Sequence, residues 1–209
     1  MKNILCFGDS NTYGYNPAKN GMRFDYEMRW TGILQKTLGA EYRIIEEGYN
    51  GRTILVEDFL NPDKSSKNYI APCVLSHQPL DLIAICLGAN DLKKKFNFTA
   101  LDIMRSMKEL IRIIRALEFE SKIPQILIMP PICLGDGVER FFDGVFNENS
   151  VKECKKLPAF YKELSELINC HYFNPSEFVK ASPIDCIHLD EAGHKIMAEV
   201  LFKKIKEIV

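Results

Sequence analysis

Ser10 stands in Phe7-Gly8-Asp9-Ser10-Asn11-Thr12-Tyr13-Gly14, where an apolar run ends, and Asp185-Cys186-Ile187-His188 stands near the other end of the chain. A serine hydroxyl attacks a carbonyl near neutral pH only when a base takes its proton, and an imidazole does so best when a third group fixes its tautomer. The three-residue spacing lets a short loop fold the Asp185 carboxylate onto the His188 Nδ1–H, so the three residues are candidates for nucleophile, base and orienting acid. Asn50-Gly51-Arg52 and Gly88-Ala89-Asn90-Asp91 each follow a predicted strand. A backbone N–H on a tight turn at Gly51, beside the neutral amide of Asn90, would stabilise a developing oxyanion without moving a proton.

Each residue alone has a plainer explanation. Ser10 could cap a helix, Gly51 could serve a turn with positive φ, and Asn90 could cap the helix after the third strand. Their joint placement is what favours chemistry. Gly8-Asp9-Ser10-Asn11-Thr12 is not the G-x-S-x-G nucleophile elbow, which argues against an α/β-hydrolase. Asp9 reads as an acceptor of local backbone N–H groups and Asp91 as a turn or cap residue. His77 and His171 have ordinary surface or packing explanations, and His194 lies on the predicted last helix. No H-E-x-x-H or clustered ligand spacing calls for a metal, and no cofactor is implied.

Strand-length apolar runs at Ile4 to Phe7, Tyr42 to Ile45, Leu80 to Leu87, Ile126 to Met129 and His171 to Phe173 alternate with helix-like stretches. That order predicts an α/β protein, a three-layer α/β/α sandwich around a mostly parallel five-stranded sheet. Thr99 and Asp102 form a capping-box signature, followed by a stripe at Leu101, Met104, Lys108, Ile111, Ile114 and Leu117. Further helices are expected around Met28 to Leu38, Asn68 to Ser76, Val151 to Ile168 and Asp190 to Ile208. In such a sheet Ser10, Gly51 and Asn90 all fall at the carboxyl edge, where ligands of open α/β folds bind. The stretch 132–150, with three glycines and Phe141, Phe142 and Phe146, suits a mobile segment covering a pocket. Tyr13, Tyr15, Phe142, Phe146 and Ile187 flank the nucleophile or base and are candidate pocket walls, whereas Trp30 reads as core.

At 209 residues and 46% hydrophobic composition the chain is expected to fold as one domain without disulfides or metals. Twenty-seven basic and twenty-eight acidic residues favour neither nucleic acid nor an anionic membrane surface, so the expected partner is a small molecule. A homo-oligomer is compatible with this reading. Seven cysteines without a C-x-x-C pair, and an N-terminus running straight into the Ser10 motif, point to a reducing cytoplasm rather than export.

The set Ser10, Gly51, Asn90 and His188, in this order, resembles the four blocks that name the SGNH (GDSL-type) hydrolases, from Ile4 to the last helix. The resemblance implies that Ser10 is the nucleophile and that its N–H, the Gly51 N–H and the Asn90 amide form the oxyanion hole. It also implies an acid and base in Asp185 and His188. Asn11 departs from the usual leucine after the serine. Arg29-Trp30-Thr31-Gly32, Ile45-Glu46-Glu47-Gly48, Pro79-Leu80-Asp81-Leu82 and Thr99-Ala100-Leu101-Asp102-Ile103 are similar to the arylesterase and acyltransferase branch. That branch handles small acyl groups and passes them to alcohols in water. The expected function is therefore a serine esterase acting on small acetyl-like esters through an acyl-enzyme, with transfer to alcohols. A carbohydrate-ester deacetylase or lysophospholipase of the same family is the neighbouring alternative. From another class, a flavodoxin-like module would use Gly8 to Thr12 to cradle a phosphate or flavin, leaving Asp185 and His188 without a purpose.

Overall fold

Five apolar runs become one sheet: β1 (Lys2–Gly8), β2 (Tyr42–Gly48), β3 (Leu82–Cys86), β4 (Gln125–Met129) and β5 (His171–Tyr172), in the order β2-β1-β3-β4-β5. The structure is a computed structural model that describes residues 1–209. Every neighbouring pair is parallel. Parallel strands need crossover connections, which are supplied by α1 (Ser10–Tyr13), α2 (Trp30–Leu38), α3 (Ile70–Ser76), α4 (Ala100–Arg115), α5 (Glu148–Cys154) and α6 (Leu157–Ile168). The chain ends in α7 (Glu191–Ile208).

Alternation along the buried strands sends side chains to two cores. Leu5, Phe7, Ile83, Ile85, Ile126 and Ile128 meet α3, α4 and α6 on one face. Ile4, Cys6, Leu82, Ala84, Leu127 and Met129 meet α2 and α7 on the other. The sandwich therefore has three layers, and its sheet is wholly rather than mostly parallel.

Two helices differ from their sequence patterns. In α4, Thr99 and Asp102 form the expected capping box, but the buried face runs through Ile103, Met104, Met107, Leu110, Ile111 and Ile114. Lys108 is exposed, because the apolar side chains on both sides of the narrow predicted stripe make a broader band that leaves it at the margin. The single helix expected over 151–168 is two, α5 and α6, broken at Lys155 and Lys156. Pro158 is the physical reason: it has no N–H to donate and its ring would meet the carbonyl four residues back, so it sits in the first turn of a new helix.

The paired stretches around Arg29 and Glu46 dock α2 against β2. The Glu46 carboxylate accepts from Arg29, Arg23 and Thr31, and a Cβ at Gly32 would lie 1.9 Å from the Tyr26 carbonyl oxygen. On the same side of the sheet His194 of α7 is fully buried, with Nδ1 accepting from the Trp30 N–H at 3.3 Å. Burial lowers its pKa from 6.5 to about 4; Asp190 opposes this, while Arg29 adds to it. A folded-state pKa below the unfolded one means that the unfolded chain binds the extra proton, so this contribution is present above about pH 6.5 and is lost towards pH 4. Buried Asp91, raised to about 7, acts in the opposite sense over the acidic range. The expected outcome is thus a difference: urea denaturation of wild type and His194→Gln should show wild type losing about 3 kcal/mol relative to the variant between pH 7 and pH 4. Parallel stability profiles would mean that His194 does not titrate as a buried neutral imidazole.

Candidate active site

The register of the sheet lines up the ends that carry the site. Gly8 of β1 pairs with Gly48 of β2 and with Cys86 of β3, so the segments that follow leave the sheet at one edge. After β1 the chain turns at once into α1. Asp9 caps that helix by accepting the Asn11 N–H, and Gly14 at φ +86° ends it after one turn. The end of α1 packs so closely on β2 that a Cβ at Gly48 would lie 2.1 Å from the Tyr13 nitrogen.

His188 arrives from the segment before α7. Its Nε2 lies 2.8 Å from Ser10 Oγ and its Nδ1 lies 2.6 Å from Asp185 Oδ2. The other Asp185 oxygen accepts the N–H groups of Ile187 (3.0 Å) and His188 (2.9 Å). Burial pushes the Asp185 carboxyl up, but the His188 ring and these two N–H groups outweigh it and hold the group below the usual aspartate range. Tyr15 stacks on the imidazole at 3.9 Å between centroids, and Phe142 meets it edge-on at 5.9 Å. An imidazole fixed at both nitrogens and clamped by two aromatic rings can accept a proton from Ser10 and pass it on without reorienting.

Ser10 and His188 open into a cavity of about 300 Å³ that Gly51 and Asn90 also line. The N–H groups of Ser10 and Gly51 and the Asn90 side-chain amide make no hydrogen bond within the protein. Three donors that face one cavity and are not committed elsewhere can receive an oxyanion. Gly51 has φ +80°, so its turn favours glycine for backbone reasons; a Cβ there would meet only the Lys64 stem, at 3.6 Å.

Of the candidate wall residues, Tyr15, Phe142, Phe146 and Ile187 line the cavity. Tyr13 does not: its ring carries the Arg23 guanidinium 4.3 Å from its centroid, and the reversal at Gly14 brings Tyr15 rather than Tyr13 back to the imidazole. The segment 132–150 contributes Phe142, Val145 and Phe146, with Phe146 buried, and Gly135 N–H donates to the Cys186 carbonyl at 2.8 Å. Trp30 is buried, and its Nε1 donates to the Asn11 carbonyl. His77 and His171 lie elsewhere, on Glu47 and Gln125.

Three side chains that sequence reasoning left without a role in the site join its loops. Arg52 donates to the carbonyls of Gly8 and Glu47 and lies over the Phe7 ring at 4.1 Å, tying the Gly51 turn to the ends of β1 and β2. Asp91 accepts the Ile54 N–H at 3.1 Å, tying that same loop to the Asn90 turn. Asn11 donates from Nδ2 to the Ile187 carbonyl at 3.3 Å and accepts the Leu189 N–H at 2.8 Å. It therefore brackets His188 on both sides. The one available signal was that Asn11 replaces an apolar residue beside the serine; its partners lie 176 and 178 positions away, beyond the reach of any local pattern.

Residues 6–196 match the GDSL-like lipase/acylhydrolase family, and the chain belongs to it. The fold and family thus define an acylhydrolase of the SGNH type. Among solved structures it is similar to an aryl esterase of M. smegmatis, with 31% identity, a TM-score of 0.94 and 100% of both chains covered. A carbohydrate acetylesterase family member from Sinorhizobium meliloti is also similar, with 31% identity, a TM-score of 0.93, and 100% of this chain and 99% of the other covered. No curated protein matches the sequence. No helix is long and apolar enough to cross a membrane.

The bracket at Asn11 generates a prediction. Asn11→Ala removes both contacts to the His188 segment while leaving Ser10, His188 and Asp185 in place. Its kcat for ester hydrolysis should fall on the order of a hundredfold with little change in KM, as expected when a reacting group is displaced rather than removed. Circular dichroism should show an intact fold. An unchanged kcat would show that the imidazole holds its place without the bracket.

Proposed function

We propose that the protein is a serine esterase that cleaves short-chain acyl esters through an acyl-enzyme. The observation that carries the reading is the continuous hydrogen-bonded chain Asp185–His188–Ser10, at 2.6 and 2.8 Å, opening on the cavity that the three free donors share. Ser10 Oγ attacks the ester carbonyl as its proton passes to His188 Nε2, and Asp185 stabilises the imidazolium that results. The carbonyl oxygen, now anionic, is received by the N–H groups of Ser10 and Gly51 and by the Asn90 amide. His188 then gives its proton to the departing alcohol oxygen. Water, or a second alcohol, repeats the sequence in reverse and frees Ser10.

The cavity supports the choice of acyl group. Its apolar part is made by Tyr15, Phe142, Val145, Phe146 and Ile187, and its size of about 300 Å³ suits a small ester rather than a long lipid chain. The same apolar surface holds water poorly and favours an alcohol as acceptor. A second reading, a carbohydrate-ester deacetylase, is favoured by the polar part of the cavity, where Asp58, Asn61, Lys93 and Lys95 stand. It also accords with the carbohydrate acetylesterase similarity. Neither reading needs a cofactor, and a reducing cytoplasm suits seven cysteines that are all unpaired.

Ser10→Ala and His188→Ala should each remove nearly all turnover of p-nitrophenyl acetate while preserving the fold, since the three groups act as a unit. Asn90→Ala should lower kcat by roughly a hundred- to a thousandfold at similar KM. Retained activity in Ser10→Ala would end the proposal. Rates should fall from p-nitrophenyl acetate through butyrate to octanoate, and added benzyl alcohol should yield benzyl acetate. Faster turnover of octanoate would refute the short acyl site; with no benzyl acetate formed at saturating alcohol, the enzyme is a hydrolase alone.

A further inference from the structure

The polar part of the cavity holds one cation that has no ion-pair partner in the protein. Lys93 follows the Asn90 turn directly, lines the same cavity as Ser10 and His188, and is half-buried. Its ammonium makes no ion pair and no hydrogen bond to any other group of the chain, unlike Lys95 beside it, which is paired with Asp58. The carboxylates that could serve Lys93 are committed elsewhere. Asp58 accepts from Lys95, from the Leu60 N–H at 3.1 Å and from the Asn61 amide at 3.3 Å. Asp91 faces the Ile54 N–H on the inner side of the loop. Lys64, whose ammonium lies 3.8 Å from the Tyr49 ring centroid, adds positive potential next to the Gly51 turn.

A partly desolvated ammonium without an ion-pair partner is costly; burial, with Lys95 adding to it and the more distant Asp58 and Asp91 charges opposing, lowers the Lys93 pKa below the usual lysine value. Lysines at a surface commonly avoid this by turning the head group to water. Here Lys93 instead lines the same cavity as the proposed nucleophile. With Asp58 and Lys95 cancelling each other, the polar wall carries one net positive charge from Lys93. That charge matches a monoanion; a doubly charged phosphate would leave one of its charges uncompensated.

We propose that Lys93 is a specificity residue that receives a carboxylate carried by the ester substrate. This rests on the esterase reading above and adds to it the charge class of the substrate. The carboxylate can belong to the alcohol part or to the acyl part, and both place the same anion against the same ammonium.

Two matched pairs of esters separate these sources. 4-Acetoxybenzoate against its methyl ester carries the charge on the leaving group, and p-nitrophenyl hemisuccinate against p-nitrophenyl methyl succinate carries it on the acyl group. At low ionic strength the anionic member of one pair should have the higher kcat/KM, by about tenfold, the order expected of one charge-assisted hydrogen bond. Lys93→Met should bring that ratio close to one, Lys93→Glu should reverse it, and added salt should reduce it in wild type. Lys94→Met, a neighbouring exposed lysine outside the cavity, should leave it unchanged. If the neutral esters are turned over in a Ser10-dependent manner but neither anionic member is preferred, or the preference survives Lys93→Met, the inference fails while the esterase reading stands. If none of the four esters is cleaved, both fall together.

Discussion

The parallel register of β1 between β2 and β3 is the constraint on which the site depends. Because Gly8, Gly48 and Cys86 are paired across the sheet, three segments far apart in sequence leave it at the same level. Ser10 follows Gly8 by two residues, Gly51 follows Gly48 by three, and Asn90 follows Cys86 by four. A two-residue slip of one strand would keep every side chain on its own face of the sheet and still move its loop by about 7 Å, enough to separate Ser10 from Gly51 and Asn90. The apolar strand faces, buried against helices on both sides, are what make such a slip costly.

Strands bring the loops together but do not hold their tips. That is done by polar side chains reaching from one loop to the next: Arg52 to the ends of β1 and β2, Asp91 from the Asn90 turn to Ile54, and Asn11 from α1 to both sides of His188. All three are buried, so each bond operates where water competes poorly. The segment carrying the imidazole follows no strand of the sheet directly and depends most on such support; Tyr15 and Phe142 add packing to it. Rigidity around Ser10 and His188 thus comes largely from Arg52, Asp91 and Asn11, which do not themselves line the cavity.

Electrostatics divides the cavity along the same lines. The Asp185 carboxylate is held ionised behind the imidazole by His188 and two N–H groups, against the cost of burial. Asp58 and Lys95 satisfy each other, while Lys93 stands without a partner in the protein. Placing an apolar wall from 142–146 beside this polar one yields a cavity with two distinct chemistries within about 300 Å³. That division suits an ester whose two portions differ in polarity.

The alternation of strand-length and helix-length apolar patterns was enough to determine the α/β class and, nearly to the residue, the strands at Ile4, Tyr42 and Ile126. The capping box at Thr99 was equally plain, since caps and periodicity are local properties. Motifs with fixed spacing also singled out Ser10, Gly51, Asn90, Asp185 and His188, because each block carries its own chemistry. Tertiary structure decided what depends on partners distant in sequence. The reversal at Gly14 set Tyr15 rather than Tyr13 against the imidazole, Asn11 found its partners 176 and 178 residues away, and the occupation of Asp58 by Lys95 left Lys93 unpaired. Local sequence records what a residue can offer; which offers are taken up is set by packing, because a hydrogen bond or ion pair forms only between groups that the fold brings within about 3 Å.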